Sequence, residues 1–186
     1  MTLETERLLL RPWHEEDAKD LYRLACEPEV GPSAGWMPHT SVEHSREIIR
    51  TMLSKPTVWA VCGKDERPIG NIHLDFDTPL GEHDGECELG YWLGKPFWGQ
   101  GLIPEAAQEL LRHAIEDLHM ARILCGYYDG NTKSRRVMDK LGFVYQRRTE
   151  GLEVCLLGEI RTGHSMLLTR KTWENIHDKN IQQTCP

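Results

Sequence analysis

Apolar positions along the chain follow two periods in turn. Residues 8–13 form a short apolar run flanked and interrupted by Arg7 and Arg11, which predicts a strand. Residues 14–26 place Ala18, Leu21, Tyr22 and Ala25 at helical spacing. Pro28, Gly31, Pro32, Gly35 and Pro38 then predict a long loop, with Trp36 and Met37 as exposed apolar residues in it. Thr40-Ser41-Val42-Glu43 fits a capping box and opens a helix to about Ser54, with Ile48, Ile49, Met52 and Leu53 as its stripe. Residues 57–62, 68–76 and 86–93 read as three strands joined by polar turns at 64–67 and 77–85. A glycine-rich turn leads into a helix ending near His119, followed by a strand over 122–128 and a helix over 131–141 closed by Gly142. Residues 143–157 and 162–169 form the last strand pair. The order β-α-α-β-β-β-α-β-α-β-β, without repeat or linker, predicts one α/β (α+β) domain, a mixed sheet of about seven strands with helices on its faces. The domain is expected over residues 1–175, with a polar C-terminal tail over 176–186.

Composition narrows the class. The chain's 186 residues, 39% hydrophobic, can bury a core without disulfides or metals. No apolar run approaches the roughly 18 residues that a membrane-spanning helix needs, and the acidic N-terminal segment lacks signal-peptide order. A cytoplasmic location without membrane partners is the expectation. The six cysteines form no C-x-x-C pair, and Cys62, Cys87, Cys125 and Cys155 lie in strand-like runs, where buried free thiols are expected. Nine histidines without paired spacing predict no metal site. A formal charge of −7 argues against nucleic acid and suits either a cationic acceptor or simple solubility.

The richest chemistry lies in Gly94-Lys95-Pro96-Phe97-Trp98-Gly99-Gln100-Gly101-Leu102-Ile103-Pro104-Glu105-Ala106. Gly99 and Gly101 permit torsions other residues resist, so that successive N–H groups can face one concavity. The helix behind them offers unpaired N–H groups and the positive end of its dipole, an anion site suited to a pyrophosphate. Pro104 fits the first helical position. Leu102, Ala106, Leu110, Ala114 and Leu118 recur at fours and predict the helix's core face. The segment is neither a Walker A loop nor G-x-G-x-x-G.

These residues resemble the GCN5-related N-acetyltransferase (GNAT) superfamily, in its RimJ/RimL-type branch of ribosomal-protein N-terminal acetyltransferases. The superfamily's Q/R-x-x-G-x-G/A motif falls on Pro96 to Gly101, with Pro96 in the place of Gln/Arg. Glu88-Leu89-Gly90-Tyr91-Trp92-Leu93 looks like the branch's E-x-G-Y-W-[LI] strand. Asn131, Ser134, Val137, Lys140, Gly142 and Phe143 match N-x-x-S-x-x-[VL]-x-x-K-x-G-F, and Glu4 to Arg11 fit its T-x-R-L-x-L-R start. The resemblance extends to Trp173.

It implies an enzyme moving an acetyl group from acetyl-CoA to a primary amine, on a sheet that splays beside the 86–93 strand to admit the pantetheine arm. The backbone of Gly99, Gln100, Gly101, Leu102 and Ile103 would hold the pyrophosphate. Leu93 to Lys95 would pair with the arm, a backbone N–H near Leu93 serving the oxyanion, unless Leu93 is an ordinary buried strand residue. Asn131 is expected to cap its helix and touch the CoA arm. Ser134, one turn on, is the implied proton donor to the CoA sulfur, a solvent-facing helix serine being the other reading. Lys133, Arg135 and Arg136 could meet CoA phosphates. Glu88 leads as general base, with Asp75 and His73 on the neighbouring strand as rivals. The acceptor pocket is expected from the 29–39 loop, the 77–85 turn and the hairpin near 152–163, with Trp36 and Trp98 as lining candidates. The acceptor could be a protein N-terminus or a small-molecule amine, and the enzyme a monomer or homodimer. A non-catalytic acyl-CoA sensor is the alternative.

Overall fold

The computed structural model describes residues 1–78, Leu80 and residues 85–183. Part of the 77–85 turn and the last three residues of the expected tail lie outside the described residues. The strands are β1 (Leu3–Glu4), β2 (Leu9–Arg11), β3 (Val58–Cys62), β4 (Pro68–Asp75), β5 (Glu86–Leu93), β6 (Arg122–Tyr128), β7 (Val144–Val154) and β8 (Glu159–Thr169). The helices are α1 (Ala18–Ala25), α2 (Gly31–Ala34), α3 (Val42–Ile48), α4 (Leu102–Arg112), α5 (Thr132–Lys140) and α6 (Arg170–Gln183). The described strands form one sheet in the order β1-β2-β3-β4-β5-β6-β8-β7, eight strands where the pattern suggests about seven. The added one, β1, has two residues, too few to register as a period, and is held by pairing Leu3 with Leu10 and Glu4 with Leu9.

Every pairing is antiparallel except β5 with β6, which α4 joins as a crossover. Their parallel ladder covers Glu86↔Arg122, Cys87↔Ile123 and Glu88↔Leu124, and stops there. Beyond it β6 continues to pair with β8 as far as Tyr128↔Gly163, and β5 with β4 as far as Leu93↔Gly70. The sheet is therefore open between the two strands past Glu88, the expected splay.

Alternation along the strands divides the core into two layers. One contains Leu74, Leu89, Leu93, Ile123 and Cys125 beneath α4, α5 and α6. The other gathers Trp13, Val58, Ala60 and Cys62 under α1 and α3. Burial of Leu110 and Leu111, both fully enclosed in α4, stabilises by roughly 1.5–3 kcal/mol each. The core stripe of α4 is wider than a repeat of fours, since Ile103, Ala107, Leu111 and Ile115 are also buried. Leu118 is 38% exposed, because the helix has passed into a wider π-helical turn at His113–Asp117 and ended.

Five local expectations shift. The N-cap of α3 is Ser41, whose hydroxyl accepts from His44 N–H at 3.0 Å, so the cap falls one residue after Thr40 and the expected box of Thr40 with Glu43 does not form. The loop after α1 contains the single turn α2, in which Pro32 supplies a preset φ and Gly35 ends the turn at φ 93°. Helix α4 begins at Leu102, which puts Pro104 at its third residue, where an N–H is still not needed. Cys62, Cys87 and Cys125 are buried free thiols, burial pushing the first two up to about 12, whereas Cys155 is exposed in the β7–β8 turn. The segment expected as a tail enters α6, which runs to Gln183.

Candidate active site

The glycine-rich turn sits where β5 ends and α4 begins. Gly99 and Gly101 adopt φ of 78° and 74°, in the left-handed region that disfavours residues with a Cβ. A Cβ on Gly99 would meet nothing within 4 Å, and one on Gly101 only Arg7 Nη2 at 3.8 Å, so the turn's outer side is open. The side chains of Leu102 and Ile103 are buried, and their backbone N–H groups stand in the first turn of α4. The first helical bond of α4 is Glu105 N–H to Gly101 O, which leaves those two N–H groups without an intrahelical partner.

Two residues the motif does not name hold this turn. Glu105 accepts from Thr5 Oγ1 at 2.6 Å, from Arg7 N–H at 2.8 Å and from Arg7 Nε at 2.6 Å, while Arg7 Nη1 donates to Gln100 O at 3.1 Å. Burial raises the Glu105 carboxyl, and these donors outweigh it, so its pKa is lowered. A carboxylate in the first turn also suits the helix dipole. Gln100 Nε2 donates to Pro96 O at 3.0 Å across the turn. The signal for Arg7 and Glu105 was absent from local spacing because the partners lie 98 residues apart.

Gly94 N–H donates to Ile69 O, on the β4 side, at 2.8 Å. Successive N–H groups alternate along a strand, so that of Leu93 faces the opening between β5 and β6. Leu93 O accepts from Trp98 Nε1 at 2.7 Å, which fixes Trp98 against the layer under α4. Lys133 Nζ stands 3.8 Å above the Trp98 ring centroid. Lys95 forms an ion pair with Glu29, and Arg135 lies 3.7 Å from Asp139, while Arg136 is exposed. Trp36 packs edge-on to Trp92, centroids 5.6 Å apart, in the layer under α1 and α3.

Asn131 caps α5 through Oδ1, which accepts Ser134 N–H at 3.2 Å. Its Nδ2 donates to Ser33 O of α2, also at 3.2 Å. Ser134 is not solvent-facing: its Oγ lies 2.9 Å from Tyr91 OH, which is also 3.2 Å from Ser134 O. A carbonyl only accepts, so the phenol donates to Ser134 O, and between the two hydroxyls either oxygen can be the donor. Burial holds the Tyr91 phenol well above its ordinary pKa.

Glu88, Gly90 and Trp92 pair with Asp75, His73 and Asn71, placing Glu88 and its two rivals on the face of α1 and α3. Tyr91 and Ser134 occupy the opposite face, so the sheet's opening has a carboxylate on one side and a hydroxyl pair on the other. Burial raises the Glu88 pKa, the Thr78 hydroxyl that donates to it lowers it, and nearby Asp75 raises it, for a net rise. Asp75 is exposed. His73 is held low by burial, and its Nδ1 lies 3.3 Å from Asn71 Nδ2. A Cβ on Gly90 would fall 2.2 Å from the His73 ring, so this imidazole packs directly on the β5 backbone. A shallow depression of about 250 Å³ lined by Tyr128, Asp129, Arg161 and Thr162 adjoins the far end of β6.

Comparison with known proteins specifies the class to which this fold and opening belong. The family model described as "Acetyltransferase (GNAT) domain" matches residues 7–144. "Uncharacterized N-acetyltransferase p20" of Bacillus licheniformis is 30% identical over 148 residues, covering 76% of this chain and 82% of its own. The "Ribosomal-protein-serine acetyltransferase" of Escherichia coli is 28% identical over 149 residues, with the same coverage. The crystal structure of a "putative acetyltransferase" from T. thermophilus superposes with a TM-score of 0.82 at 24% identity, covering 99% of this chain and 97% of that one. The chain belongs to the GNAT acetyltransferase family.

Proposed function

We propose that the protein moves the acetyl group of acetyl-CoA to a primary amine by direct attack on the thioester. The observation that carries this reading is the end of the β5–β6 ladder at Glu88, with Leu93 N–H facing the opening, Glu88 on one face and Ser134 on the other. The pyrophosphate rests on the N–H groups from Gly99 to Ile103, with the dipole of α4 behind them. The pantetheine arm lies along the free edge of β5, between the strands. The relatives named as ribosomal-protein serine and alanine acetyltransferases support a peptide N-terminus as the first acceptor to test.

In the reaction the amine nitrogen forms a bond to the thioester carbon, and the C–S bond breaks. One amine proton passes to the Glu88 carboxylate, directly or through water. The developing oxyanion takes the Leu93 N–H. The CoA thiolate takes a proton from Ser134 Oγ, which Tyr91 positions, and Ser134 recovers one from solvent as the thiol leaves. An α-amine, with a pKa of roughly 7.7–8.0, asks less of Glu88 than a lysine at roughly 10.4.

Purified protein is to be incubated with acetyl-CoA and a library of peptides and small amines while free thiol is followed. Amine-dependent thiol release is the expected result. Tight CoA binding with no release across the library would replace the enzyme with an acyl-CoA sensor.

A further inference from the structure

Gly126 stands in the middle of β6, between Leu124 and Tyr128, on the face that carries Glu88. A glycine inside a strand costs stability, so its presence asks for a reason. Other strand glycines of this sheet have one. A Cβ on Gly70 would lie 2.4 Å from Trp92 O, and one on Gly90 would overlap the His73 ring. Gly126 has neither reason. Its φ lies outside the left-handed region. A Cβ there would meet Leu80 Cδ1 at 3.4 Å, His164 O at 3.7 Å and Glu88 Oε1 at 3.8 Å, all ordinary contacts. It pairs with Ser165 of β8 on one side, while on the other the β5 ladder has already ended. Packing would accept a side chain, and the residue is nonetheless exposed and bare.

We infer that Gly126 is a specificity-determining residue: its missing side chain is the space through which the carbon bearing the acceptor's nitrogen approaches Glu88. The inference rests on the reading of Glu88 as base. An amine must come within roughly 2.6–3.2 Å of that carboxylate, or one water further. The vacant Cβ position, 3.8 Å from Oε1, is where the amine's own carbon would lie. Leu124 and Tyr128 bound the gap along the strand, so it takes a primary amine on a narrow carbon and discriminates against bulk at that carbon.

The test compares the wild type with Gly126→Ala and Gly126→Leu on glycyl, alanyl and valyl peptides, reading kcat/KM, acetyl-CoA affinity and thermal unfolding. Alanine is expected to fold at least as stably as the wild type and to bind acetyl-CoA within about twofold. Its kcat/KM should fall roughly tenfold for the valyl peptide and less for the glycyl one, in keeping with the effect of one methyl group in a pocket. Leucine should abolish transfer to all three while leaving acetyl-CoA binding intact. A folded leucine variant with wild-type turnover overturns the inference. If that variant does not fold, an alanine variant with unchanged selectivity overturns it equally. A wild type that transfers to no amine instead overturns the Glu88 reading, and the role of Gly126 with it; a wild type that transfers, with variants of unchanged selectivity, sinks the role of Gly126 alone.

Discussion

Moving the protein from pH 7 to pH 5 should cost it about 2 kcal/mol through His39 alone. The imidazole is 8% exposed, in the loop between α2 and α3, with Nδ1 2.8 Å from Ser45 Oγ. The Trp36 ring lies 5.3 Å from it and the His44 ring 4.8 Å. Its backbone N–H is fixed to Ala25 O at 3.0 Å. Burial, helped by the neighbouring His44, lowers its pKa from 6.5 to about 4. The unfolded chain therefore binds a proton below pH 6.5 that the folded chain refuses until about pH 4. Stability is full above 6.5 and is lost as pH falls through that window. At pH 5 the unfolded imidazole is almost fully protonated and the folded one about a tenth so, which gives about 2 kcal/mol, or roughly 4–8 °C in Tm for a chain of this size. Thermal unfolding of wild type and His39→Asn between pH 7 and pH 5 checks the figure. The variant carries a constant penalty for Ser45, but its stability should fall less with acid by that amount, and the titrations of His73 and the carboxylates cancel in the difference. Parallel curves for the two proteins would refute the argument.

Three further outcomes follow from the site. Glu88→Gln should lower kcat at least about 100-fold with acetyl-CoA affinity unchanged, and the wild-type kcat should rise with pH along a limb centred above the ordinary glutamate value of 4.5, because only the carboxylate accepts a proton. Pre-steady-state rates with a saturating amine measure both, and a limb at or below 4.5 would count against Glu88. Gly101→Trp, at φ 74°, should lose most acetyl-CoA affinity in calorimetry, since a side chain there strains the turn and fills its open side. Glu105→Ala should weaken acetyl-CoA binding without touching the ligand, and lower stability by about 1–3 kcal/mol as the Thr5 and Arg7 donors lose their acceptor; normal affinity in a folded variant would show that the turn needs no anchor.

What the sequence determined by itself is local in range. Short-period chemistry placed α1, α3, α4 and α5, the turn with Gly99 and Gly101, and the Asn131 cap, because torsion, capping and amphipathic spacing act within a few residues, whereas α2 and α6 were not legible in it. It put Glu88 and Ser134 in order along the chain and could not say that they face each other across a sheet. That followed from register: the ladder of β5 with β6 ends at Glu88, and alternation from there sends Glu88 to one face and Tyr91 to the other. Tertiary structure alone brought Arg7 to Glu105, turned Ser134 away from solvent onto Tyr91, and left Gly126 bare beside a carboxylate from a different strand. These pairs join segments separated by tens of residues, and no period in the chain encodes which strand edges remain unpaired once the sheet has closed around its core.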